Sequence, residues 1–222
     1  MINLQSSKLG LFLLISISMV GCSSQEPVPY AQIGSSKHLR INKNEDAVRI
    51  PYTFERPVDW TTYHNVMLEP IVIYKGPDAQ FAGLEARDKT ALANEMTAVF
   101  SEELGRRFRF ASSPSAGTLR IRITLTGAET TTSGLSTFSR FDIGLGSYNL
   151  VQSMRDREGT FTGSVNYAVE IFDAPTSQLL KSYVTHQYPT IYDISSTFGA
   201  LTAAKAGIKR GAVSLVESLS SR

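Results

Sequence analysis

Residues 117–129, Gly117-Thr-Leu-Arg-Ile-Arg-Ile-Thr-Leu-Thr-Gly-Ala-Glu129, carry the clearest structural signal in the chain. Leu119, Ile121, Ile123 and Leu125 alternate with Arg120, Arg122, Thr124 and Thr126. Successive side chains of a strand point to opposite faces, so this period of two predicts a half-buried strand with one apolar and one polar face. Val165, Tyr167, Val169 and Ile171 repeat the alternation within residues 161–173. Asp173-Ala-Pro-Thr-Ser177 follows, where Asp and Pro each favour a turn. Residues 179–188 then return as the second arm of a hairpin.

Upstream of this hairpin, residues 84–107 predict a helix. Leu92, Met96, Val99, Phe100 and Leu104 recur at helical spacing and form one apolar stripe. A second helix is expected over 196–220, with Leu201, Ile208, Ala212, Leu215 and Leu219 as its buried stripe. Gly207 and Gly211 lie four apart on it, a spacing that would let the helix approach a sheet closely. Residues 65–74 read as a strand whose Pro70 argues for an edge or a bulge, and 108–111 as a short one. The order strand, helix, strands, helix predicts an α+β fold: a mostly antiparallel sheet of four to five strands, with two long helices packed on one face.

Composition sets the outer limits. The chain has 222 residues, 42% of them hydrophobic and 19% charged, which excludes wholesale disorder. A single cysteine excludes a disulfide framework. The net charge of +2 is too small to argue for a nucleic-acid partner.

The first residues read as an address rather than as structure. Lys8 precedes an apolar run over 9–20, shorter than the roughly 20 residues that span a bilayer. The run ends in Met19-Val20-Gly21-Cys22, which resembles the bacterial lipobox. That resemblance implies acylation of the Cys22 thiol and cleavage between Gly21 and Cys22. Ser23 rather than Asp after the cysteine implies sorting to the outer membrane, on the inner leaflet and facing the periplasm. The expected organisation is a signal peptide over 1–21, a lipid-anchored polar tether over 22–47 and a single periplasmic domain over 48–222.

Three further stretches resemble, in order, the motifs of a group of bacterial outer-membrane lipoproteins of unknown function. They are Trp60-x-x-Tyr63-x-x-Val66-Met67-Leu68-Glu69-Pro70, Gly117-Thr118-Leu119-Arg120-Ile121-Arg122 and Asp173-x-x-Thr176-x-x-x-Leu180. The resemblance spans roughly residues 48–220 and implies no particular activity. Ser177 stands where that group usually has glycine in the hairpin turn.

The sequence carries no catalytic motif. His38, His64 and His186 have no metal-ligand spacing, and neither H-E-x-x-H nor C-x-x-C occurs. The serines lack a G-x-S-x-G context. Glu102 and Glu103 read as a solvated face. Arg120 and Arg122 share one strand face, where cross-strand pairing with Glu170 is the simpler use and anion binding the sharper one. No cofactor and no metal are expected.

The remaining stretch, 130–159, is long for a connection and opens rich in Ser and Thr. Within it Leu135, Phe138, Phe141, Leu145, Tyr148 and Val151 recur every three or four positions. They are either a third helix or lid over the sheet, or an apolar surface for a partner, lipid or ligand, and form the candidate interaction surface. The functional expectation is a non-catalytic binding or scaffolding lipoprotein, held on the outer membrane and able to meet an envelope protein partner. The rivals are an auxiliary subunit of an envelope transport or secretion complex and a periplasmic hydrolase.

Overall fold

The computed structural model describes residues 26–81, 83–129, 163–189 and 201–220. Among these, eight strands form one sheet: β1 (Arg40–Ile41), β2 (Tyr52–Glu55), β3 (Asn65–Leu68), β4 (Val72–Ile73), β5 (Arg109–Phe110), β6 (Thr118–Ala128), β7 (Val165–Asp173) and β8 (Leu179–Gln187). The α-helices are α1 (Ala86–Gly105) and α2 (Thr202–Ser218). Spatial order is β1-β2-β8-β7-β6-β3-β5, with β4 also paired to β6.

The class is α+β, but the expected four-to-five-strand, mostly antiparallel sheet is corrected to an eight-stranded mixed one. Four strands precede α1 and four follow it, so the expected strand-helix-strands-helix order is corrected as well. β3 and β4 both run parallel to β6, and β5 runs parallel to β3. The physical reason lies in α1: a helix between two strands is the crossover that parallel pairing requires. Residues 65–74 make two strands rather than one. Pro70 lacks an N–H and falls between them, and each half finds its own place along β6.

β6, β7 and β8 are the long central strands, antiparallel to one another. Leu119, Ile121, Ile123 and Leu125 of β6 lie with Val165, Tyr167, Val169 and Ile171 of β7 in one buried cluster. Leu92, Met96, Phe100 and Leu104 of α1 and Ile208, Ala212 and Leu215 of α2 complete it. The glycine spacing on α2 works as its sequence implies. A Cβ at Gly207 would stand 2.8 Å from the Gln187 carbonyl oxygen, and one at Gly211 would fall 1.7 Å from the Tyr167 hydroxyl. The β7–β8 turn places Ser177 at φ +56°, the left-handed region that favours glycine.

The segment from Glu26 to Ala47, within the expected tether, is not a free linker. Tyr30, Ile33 and Leu39 are buried with Tyr74, Ala168 and Val184 in a second cluster on the other face of the sheet. Arg40 and Ile41 pair with Tyr52 and Thr53 as an edge strand. The domain therefore begins ahead of Val48. The apolar anchors Tyr30, Ile33 and Leu39 fall three and six apart, matching neither a strand nor a helix over any length, because the segment crosses the strands through turns. Polar composition hid a contact made by a few anchors.

Candidate functional site

The face of β6, β7 and β8 turned away from the helices carries Arg120, Arg122, Glu170 and His186 among the polar side chains that the sequence singles out. Period two puts Arg120 and Arg122 there. Pairing sets Arg122 opposite Glu170 and Arg120 opposite Phe172 on β7. Parallel pairing aligns Leu68 with Ile121, and the Glu69 N–H donates to the Ile121 carbonyl, so the Glu69 side chain arrives between the two arginines.

Glu69 is the hub of this cluster. Its Oε1 accepts from Arg120 Nη1 at 2.7 Å and its Oε2 from Arg122 Nε at 2.7 Å. Burial alone would raise the Glu69 carboxyl, but the hydrogen bonds and charges of Arg122 and Arg120 outweigh it and hold the group below the usual glutamate range. The hydrogen bond to Glu69 likewise raises the Arg122 guanidinium. Arg122 Nη1 lies 3.7 Å from Glu170 Oε2, and the Arg120 guanidinium sits 4.5 Å from the Phe172 ring centre. The Ser35 N–H donates to Glu170 Oε1 at 2.8 Å, which ties the N-terminal segment to the cluster.

A second cluster lies toward the other end of the same face. His186 Nδ1 is 2.5 Å from Asn166 Oδ1, so an Nδ1–H tautomer satisfies both. Asn166 Nδ2 donates to Gln80 Oε1 at 2.9 Å, and the Tyr30 hydroxyl donates to the same oxygen at 2.7 Å. Gln80 Nε2 in turn donates to the Glu26 carbonyl at 2.8 Å. Burial pushes the Tyr30 phenol up to about 12, so it remains a donor at neutral pH. Tyr30 holds this place with a backbone φ of +45°, which is costly for a bulky residue and persists only where surrounding contacts over-determine it. Nearby, the Ala31 N–H donates to Asp78 Oδ2 at 2.9 Å and the Gln32 N–H to the Tyr74 hydroxyl at 3.1 Å.

The face is thus a seat for the chain's own residues 26–41. Of the residues expected to matter, Arg120, Arg122 and Glu170 meet here. Glu69 was missed as their main partner, and its only sequence signal is its place in the Val66–Pro70 motif. The three histidines stay apart: the His38 ring packs 5.3 Å from that of Phe54, the His64 N–H bonds the Gly117 carbonyl, and His186 lies in β8. No group of three His, Cys, Asp or Glu among the described residues could hold a metal ion. Glu103 is buried rather than solvated, bonded to Lys209 of α2 at 2.5 Å and to Arg106 at 3.1 Å. Gly21, Cys22, Leu135, Phe138, Phe141, Leu145, Tyr148 and Val151 lie outside the described residues.

Comparison with known proteins gives distant likenesses. No curated protein matches. The PelC dodecamer of Paraburkholderia phytofirmans is 11% identical at a TM-score of 0.36, over 72% of this chain and 94% of that one. A DUF330 protein of Xanthomonas campestris is 8% identical at 0.34, over 69% and 81%. A DUF4136 protein of Bacteroides thetaiotaomicron is 13% identical at 0.32, over 76% and 94%. A family model matches residues 29–215, opening at the docked Pro29-Tyr30 rather than at Val48, and the chain belongs to that family, described as protein of unknown function (DUF3313).

Proposed function

We propose that this protein is a lipid-anchored lipoprotein of the outer membrane, facing the periplasm, whose domain is a non-catalytic binding or scaffolding module of the envelope. The observation that carries this reading is the apolar run over 9–20 closing on Gly21 and on Cys22, the chain's only cysteine. Several acyl chains carried on Cys22 anchor a protein stably, since each buried methylene contributes about 0.8 kcal/mol.

The sheet supports the non-catalytic part. Glu69 is occupied by two arginines, Asn166 by His186 and Gln80, and Glu170 by the Ser35 amide. These groups hold chain to chain. A partner would be met by the apolar positions Leu135, Phe138, Phe141, Leu145, Tyr148 and Val151, a proposal that rests on their spacing in sequence.

Cys22→Ala tests the anchor. In a Gram-negative host fed a labelled fatty acid, the wild type takes up label and the variant accumulates as an unlabelled precursor. Equal labelling of the two would overturn the reading.

A further inference from the structure

The packing of residues 26–41 changes how far the domain can stand from its anchor. A free chain from Cys22 to Val48 would average roughly 25–28 Å end to end and let the domain tumble. The structure leaves no such length. The Glu26 carbonyl is held by Gln80 Nε2, and Gln80 is fixed in turn: its N–H donates to the Thr126 carbonyl and its own carbonyl accepts from Ala128, at the end of β6. Only the step from Cys22 to Glu26 remains, four residues that extend to at most about 14 Å.

We infer that the docked N-terminal segment makes the anchor a short stay, which holds the 75–80 turn and the adjoining end of β6 against the phospholipid headgroups. The inference rests on acylation of Cys22, as proposed above. The register fixes which end this is: Gln80 bridges Gly127, which pairs with Asn166 near the start of β7. The turn at 174–178 lies at the other end of β7, about 26 Å further along the strand. It faces away from the membrane and into the periplasm. The seat of Tyr30 is therefore part of the membrane attachment, although Tyr30 itself never touches lipid.

Single cysteines read this orientation, because an acylated Cys22 does not react with thiol dyes. Lys75→Cys and Gln178→Cys place a donor dye at two exposed positions, one at each end. The full-length acylated protein is reconstituted into vesicles of phosphatidylethanolamine and phosphatidylglycerol carrying a headgroup-linked acceptor. Transfer from position 75 should exceed that from position 178 several-fold. A Gly-Ser linker of about 20 residues inserted between Gln25 and Glu26 should remove most of the difference without changing the fold. Tyr30→Ala should weaken it by releasing the strap, which trypsin would report as new cleavage at Lys37 or Arg40. Equal transfer from both positions in protein shown by mass spectrometry to be acylated overturns the orientation alone. A difference that survives the linker also overturns it, since another contact would then hold the domain. Absence of the acyl group overturns the anchor reading, and this inference with it.

Discussion

The two faces of the β6–β7–β8 sheet are covered by different physics. On one, α1 and α2 bury an apolar layer in which even the backbone of α2 touches the strands. On the other, a segment without long regular structure is held by a few buried anchors and by hydrogen bonds to the Gln80 amide and to the Glu170 carboxylate, which adjoins the arginine–glutamate cluster. Apolar area is non-directional and tolerates little change in volume. Polar docking is directional, gains about 1 kcal/mol per hydrogen bond, and can open locally while the rest stays folded. The helical face is thus built to make the domain stable, and the polar face to set where the N-terminus leaves it.

The sharpest way to break this comparison is to put a charge on the helical face. Ile121→Asp buries an unpaired carboxylate in the main cluster and should cost several kcal/mol, read by chemical denaturation. A cost near 1 kcal/mol would mean that the helices sit loosely and the two faces do not differ as described.

A smaller effect should come from the α2 contact. Ala exceeds Gly in helix propensity by about 1 kcal/mol, yet Gly211→Ala should destabilise by about 1–3 kcal/mol because its Cβ would overlap the Tyr167 hydroxyl. That hydroxyl is buried with no hydrogen-bond partner among the described residues, and burial raises its pKa well above the usual 10. Tyr167→Phe should therefore be close to neutral alone and should rescue much of the Gly211→Ala loss. Strict additivity of the two in a double-mutant cycle would deny the contact.

The smallest effect belongs to the polar face. Glu69→Gln should cost about 1 kcal/mol at neutral pH, since the cluster is partly exposed and screened. The Glu69 carboxyl titrates below its ordinary 4.5 in the folded protein. Its contribution is therefore complete above that value and is lost as the pH falls through the lower folded one. The stability gap between wild type and variant should close only below about pH 4.5. A gap that closes at higher pH would point to a different group.

Much of the helical face was legible in sequence, and for one reason. β6, β7 and α1 are long enough for their apolar residues to repeat, so Leu119–Leu125 and Leu92–Leu104 announce their burial locally. Gly207 and Gly211 announced a close approach, though not its partner. The polar face was half legible. Arg120, Arg122 and Glu170 could be placed together by period and register, whereas Glu69 lies fifty-one positions from Arg120 and is delivered by the α1 crossover.

The alternating faces of the long strands, the stripe of α1, the hairpin and the α+β class are written in the chain locally, because each follows from a repeat or turn within one segment. The parallel pairing of β3 and β4 with β6, the two-residue strands at the margins and the docking of residues 26–41 emerge only when the whole chain packs. Strands of two residues carry no period, and Ser35 meets Glu170 across 135 positions of chain. Such contacts are chosen by what the rest of the fold leaves exposed, and no local pattern records that choice.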